Sequence, residues 1–137
     1  MKLAYIKGQR DFSTGDLPGA DLQKSVLSGA NFTQSNLKKA NFQGCDLASA
    51  NFGRADLTQT SFRNAKLGRA YLSNANLQEA DLRGADVSYA SLTNANLRGA
   101  NLCGADLTGA RVTSEQLAMA KTNWSTIYPN GKRGLMQ

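Results

Sequence analysis

ANLRGANLCGADLTGA, residues 95–110, repeats one five-residue phrase: Ala, then Asn or Asp, then Leu, then two freer residues. Extended outward, the phrase runs from Arg10 to Ser114. Leu, Phe or Val occupies every fifth position from Phe12 to Val112, with fourteen Leu, five Phe, two Val and no insertion. Two residues before these centres stands Ala in fifteen cases; the exceptions are Arg10, Gly15, Ser25, Ser35, Cys45 and Thr60. One residue before them stands Asn or Asp, again in fifteen cases.

A period of five suits neither regular element. On an α-helix each step of five turns the apolar residue about 140° from the last, so no continuous face forms. On a flat strand five is odd, and successive centres point to opposite faces. The chain must bend once per repeat so that every centre points inward, which coils it into a solenoid. Phe12, Phe32, Phe42, Phe52 and Phe62 indicate the length of one turn. Three pairs of them lie 20 residues apart and none lies 15 apart. If like stacks on like, four repeats make one coil, with the two Phe columns on opposite sides of a square.

On these residues the chain resembles the pentapeptide-repeat family, whose pattern is A-(D/N)-L-x-x, over residues 10–114, and especially its gapless single-domain members from cyanobacteria. The resemblance implies an all-β solenoid, a right-handed quadrilateral β-helix of about five coils. In that fold the centre and the preceding Ala point inward and the other three residues outward. Phe12, Phe32, Phe42, Phe52, Phe62, Leu72, Leu82, Leu92 and Leu102 are then structural core. Burial of each contributes about 1.5–3 kcal/mol before entropy is subtracted. Five coils about 4.8 Å apart give a rod about 24 Å long. Asn or Asp before the centre is expected to hydrogen-bond nearby backbone and hold the corner. Gly19, Gly29, Gly44, Gly84, Gly99, Gly104 and Gly109 fall where the chain turns.

The ends need covering, because a coiled sheet exposes unpaired edges there. Residues 1–9 are read as an N-terminal cap, with Leu3, Tyr5 and Ile6 as its lid. Residues 115–137 are read as a C-terminal helix and tail. Thr113 and Gln116 fit a capping box. Leu117, Met119, Trp124, Ile127 and Tyr128 are the expected cover of the last coil, and Asn130-Gly131-Lys132-Arg133-Gly134 a loose tail.

The chemistry legible in the chain is sparse. The 137 residues contain no His, which removes the commonest general base and metal ligand. Cys45 takes an inward slot and Cys103 an outward one three coils away, so they are not expected to pair. Asp86 and Asp106 stack one coil apart, but Asn fills the same slot elsewhere, which points to corner bonding rather than acid catalysis. Arg63 and Arg83 stack likewise and could grip a phosphate, although Asp81 stands beside them. The net charge of +6 is spread evenly. Counted by side, the repeats come to +2, 0, +1 and −1, which is no basic stripe of the kind nucleic acid needs.

The expected function is therefore a non-enzymatic protein-interaction module, with no catalytic, metal-binding or cofactor-binding residue and an unknown protein partner. The family resemblance adds end-to-end pairing of two copies. It also brings a second reading, a DNA mimic that modulates DNA gyrase, which would need an acidic surface. Nucleic-acid binding through the basic ends is a third reading. The start of the chain has no apolar stretch suited to a signal peptide and there is no run long enough to span a membrane, so the expected compartment is the cytoplasm, with room for a leader already cleaved.

Overall fold

The computed structural model describes residues 9–133. Residue 11 pairs in parallel with residue 31, 16 with 36, 21 with 41 and 26 with 46, and this register of 20 continues to Ser91 and Arg111. Each coil therefore holds four repeats, as the phenylalanine spacing predicts, and each repeat contributes one bridging residue to each neighbouring coil. Side 1 carries the centres from Phe12 to Val112, side 2 those from Leu17 to Leu97, side 3 those from Leu22 to Leu102, and side 4 those from Leu27 to Leu107.

The ladder repeats with little variation. The Phe52 N–H donates to the Tyr71 carbonyl at 2.7 Å, and the Tyr71 N–H returns to the Ala50 carbonyl at 2.9 Å. Between bridges the chain turns. The Ala50 N–H donates to the Leu47 carbonyl at 3.0 Å, closing a four-residue turn whose third residue, Ser49, has φ 60°. A positive φ at that place is the mark of a type II turn. All twenty corners from Thr14 to Gly109 share it, seven with Gly at φ 68–74° and thirteen with other residues at φ 56–62°. Glycine is thus favoured at the corner but not required.

The interior is solid. Phe12, Phe32 and Phe52 stack at centroid distances of 5.1 and 5.0 Å, and Phe42 and Phe62 at 5.3 Å. The two columns meet edge to face across the middle, with Phe52 at 5.6 Å from Phe42 and 5.5 Å from Phe62. Leu72, Leu82, Leu92 and Leu102 continue these columns, fully buried. The first coil is less enclosed, and Leu17 and Ala20 are only partly buried. The expected N-terminal lid, Leu3, Tyr5 and Ile6, lies outside the described residues.

Polar residues in the inward Ala slot follow a rule the sequence does not announce. Ser35, Cys45 and Thr60 each turn their donor to the carbonyl of a centre in the coil below: Phe12 at 2.7 Å, Leu22 at 2.8 Å and Leu37 at 2.7 Å. Cys45 is fully buried and Cys103 is partly exposed, and neither forms a disulfide. Cys103 is expected to react with a thiol reagent under native conditions at least about tenfold faster than Cys45, since access limits a buried thiol. Equal rates, followed by mass spectrometry, would contradict this placement.

The C-terminal end departs from the expected helix and tail. Helix α1, Ser114–Ala118, begins with the expected capping box: the Gln116 N–H donates to Thr113 Oγ1 at 3.1 Å and the Thr113 N–H to Gln116 Oε1 at 2.9 Å. Gln116 Nε2 also donates to the Leu92 and Ala95 carbonyls, tying α1 to the last coil. The ladder then resumes. Lys121 bridges Asn101, and Ile127 bridges Asp106 in register 21, after one six-residue repeat. Ile127 is therefore a half-buried bridging residue rather than a lid. Tyr128 fills the next centre, buried, with its hydroxyl donating to Thr122 Oγ1 at 2.9 Å. Leu117 is buried as expected.

Met119 and Trp124 are not cover: they are 43% and 73% exposed. Met119 stands at a corner, where its carbonyl accepts the Gly99 N–H at 2.9 Å, and Trp124 stands in the turn of the six-residue repeat. Corner side chains point outward whatever their hydrophobicity. Residues 130–133 of the segment read as a loose tail instead turn back onto Ile127 and Tyr128. The Tyr128 N–H donates to the Lys132 carbonyl at 2.8 Å, and Ile127 and Arg133 pair in antiparallel sense.

Candidate functional site

The recurring Asn or Asp performs one task almost everywhere. Its Oδ1 accepts the backbone N–H two residues ahead in fourteen of the fifteen repeats that have it, as in Asn51 to Gly53 at 2.8 Å and Asp86 to Ser88 at 3.0 Å. The exception is Asp16, which is followed two residues later by Pro18, a residue with no N–H to give. Asp16 instead accepts from Asn36 Nδ2 in the next coil at 3.2 Å. Only one oxygen is needed for the corner, which explains why Asn and Asp interchange.

Asp86 and Asp106 do lie in adjacent bridging positions. Each carboxylate is taken up by its own corner, through Ser88 N–H and Oγ in one case and Thr108 N–H and Oγ1 in the other. They do not form a site. Arg63 and Arg83 share a column, but Arg83 forks onto Asp81, with Nε to Oδ1 at 2.9 Å and Nη2 to Oδ2 at 2.7 Å. The phosphate grip is not assembled. Among the described residues no group of His, Cys, Asp or Glu is arranged to hold a metal ion.

The Arg83 guanidinium holds the Asp81 carboxyl below the usual carboxylate range. A lowered folded-state pKa means stability that is present above the unfolded value near 4 and lost as pH falls through the folded value. Asp81→Asn keeps the corner acceptor and removes the charge together with the second acceptor for the Arg83 fork. Urea midpoints of the two proteins are expected to differ at pH 7, with Asp81→Asn lower, and the gap is expected to narrow as acid protonates the Asp81 carboxylate. A gap unchanged at low pH would mean that the charge is not the cause.

What remains at the surface are the two corner positions of each repeat, together with bridging residues that are neither Asn nor Asp. Among these, Val26, Tyr71 and Tyr89 are large apolar side chains 55%, 47% and 55% exposed. Tyr71 replaces the usual Asn or Asp before the centre Leu72, and Tyr89 occupies a variable corner slot. Tyr71 lies against Gly53, and Tyr89 lies beneath Gly109 with Arg69 over its ring at 5.1 Å. No helix among the described residues is long and apolar enough to cross a membrane.

A family model described as a pentapeptide repeat region matches residues 35–114. Among solved structures, a pentapeptide repeat protein from the thylakoid lumen of Arabidopsis thaliana is 35% identical, with 71% of this chain and 74% of the other covered and a TM-score of 0.58. The pentapeptide repeat protein Rfr23 from the cyanobacterium Cyanothece 51142 is 28% identical, with 92% and 96% covered and a TM-score of 0.54. QnrB1, a plasmid-mediated fluoroquinolone resistance protein, is 23% identical, with 85% and 69% covered and a TM-score of 0.46. No curated protein matches the chain.

Proposed function

Because the chain belongs to the pentapeptide-repeat family, we propose that it is a non-enzymatic protein-interaction module. The right-handed quadrilateral course that goes with the family is part of this reading, as are end-to-end pairing of two copies and a cytoplasmic location. The observation that carries it is the division of labour within each repeat. Two of five side chains fill the interior and a third holds the corner through its Oδ1. The remaining two are free to vary on a stiff scaffold, which suits the display of a binding surface rather than the burial of a reacting group.

The test has two parts. In a plasmid supercoiling assay with bacterial DNA gyrase, with and without a quinolone, the full chain is expected to leave both activity and plasmid mobility unchanged. Capture on the immobilised chain, from a lysate of the organism that encodes it, is expected to retain a protein that is released by charge reversal on one side only. Inhibition of gyrase or protection from the quinolone would replace this reading with a topoisomerase modulator. A plasmid shift without gyrase would replace it with nucleic-acid binding through the basic ends.

A further inference from the structure

Side 1 differs from the others in what it lacks. From Asn31 upward, its outward positions and both bounding corners carry no carboxylate before Glu115. The middle coils of sides 2, 3 and 4 carry Asp56, Asp81 and Asp86. Three exposed arginines lie on this stretch: Arg54 at one bounding corner, Arg69 at the other, and Arg111 on the face itself. Among the described residues none of the three pairs with a carboxylate. Elsewhere Lys38 meets Asp56 at 3.6 Å and Arg83 meets Asp81 at 2.7 Å.

Tyr71 and Tyr89 stand among these arginines. Both rings lie close against a neighbouring coil. A Cβ built on Gly53 would lie 3.0 Å from the Tyr71 ring, and one on Gly109 would lie 2.3 Å from the Tyr89 ring. Tyr89 is thus kept between Gly109 on one side and the Arg69 guanidinium on the other. Tyrosine and arginine are the residue types that anchor interfaces. Three separate arginines without a continuous basic stripe suit a short acidic polypeptide better than a nucleic-acid backbone.

We propose that side 1, between Arg54 and Arg111, binds an extended acidic polypeptide segment, with Arg54, Arg69 and Arg111 taking its carboxylates and Tyr71 and Tyr89 its apolar contacts. This rests on the interaction-module reading and names the class of partner and the side used. Arg69 and Arg111 stand two coils apart, about 10 Å at the spacing of stacked strands. An extended chain presents the side chains of one face about 7 Å apart, so three or four residues bridge the arginines.

The probe is a fluorescein-labelled peptide of five Glu-Thr pairs, titrated with the full chain and followed by anisotropy at low salt. Saturable binding is expected. Replacement of Arg54, Arg69 and Arg111 by Ala together is expected to weaken it at least about tenfold. A control that removes as many charges from the other sides, Arg63→Ala with Lys66→Ala and Arg98→Ala, is expected to change it less than about twofold. Should the first variant not fold by circular dichroism, Arg54→Gln with Arg111→Gln leaves the Arg69–Tyr89 contact intact and serves in its place. The proposal is overturned if the peptide does not bind, if the control loses as much affinity, or if a Gln-Thr peptide binds equally. It is also overturned if an oligothymidylate of the same length binds more tightly and is lost with the three arginines. Failure of the peptide while lysate capture still retains a partner removes this inference alone; failure of both removes the module reading as well.

Discussion

Phe52→Ala is expected to lower the free energy of unfolding by about 4 kcal/mol, the range found for a fully buried aromatic truncated to alanine. Phe52 is fully buried and touches three other rings: Phe32 stacked at 5.0 Å, and Phe42 and Phe62 edge to face. The cavity cannot close easily. Each neighbouring coil is held at ladder distance by its own hydrogen bonds, so the walls do not move in to fill the space. Phe52→Leu is expected to cost about 1–1.5 kcal/mol, because Leu already occupies the same column at Leu72 and Leu92. Guanidinium unfolding curves with a common slope measure both. A loss below about 1 kcal/mol for the alanine variant would mean that the aromatic columns are not a tightly packed unit.

The second large effect comes from the other inward slot. Ala75→Leu is expected to cost about 3 kcal/mol, at the upper end of the usual cost of overpacking. Ala75 is 1% exposed and sits beside a corner, where the backbone is pinned by the Ala75 N–H to Leu72 carbonyl bond at 3.1 Å. Ala75→Ser offers the contrast. Its hydroxyl can reach the Phe52 carbonyl in the coil below, as Ser35 reaches that of Phe12, so the loss is expected to stay below about 1 kcal/mol. Equal destabilisation by Leu and Ser would point to polarity rather than volume as the constraint. Thermal and denaturant unfolding of the pair decide between them.

These slots show how much was legible beforehand. The inward centres and the aromatic columns follow from spacing, the inward column of Ala is what the family resemblance implies, and the capping box at Thr113 and Gln116 follows from residue type and interval. The corner function of Asn and Asp was also readable, and the structure adds the reason for the exception at Asp16, since Pro18 has no N–H. The donor rule for Ser35, Cys45 and Thr60 was hidden, because it depends on a carbonyl 23 residues away. Met119 and Trp124 were misread because hydrophobicity was taken as a sign of burial, while their corner positions turn them outward.

The surface was harder to read than the core. Counted by repeat, Arg69 belongs to side 4 and is offset there by Asp46, Asp86 and Asp106. In the folded chain it stands on the corner shared with side 1, and it forms no ion pair among the described residues. A count along the chain cannot divide a corner residue between two sides.

The amino-acid sequence by itself determined the coil and its inward centres, because a five-residue period keeps every centre dry only if the chain bends once per repeat, and the phenylalanine spacing pointed to a 20-residue turn. The tertiary structure alone decided the rest: that the ladder resumes past α1 as far as Tyr128, that Trp124 is left to solvent, and that Arg69 lies over the Tyr89 ring. The physical reason is range. Periodicity is a local property written in every repeat, whereas the sharing of a surface depends on residues 20 or more apart brought to within a coil's spacing, and nothing in the local pattern constrains which side chains meet there.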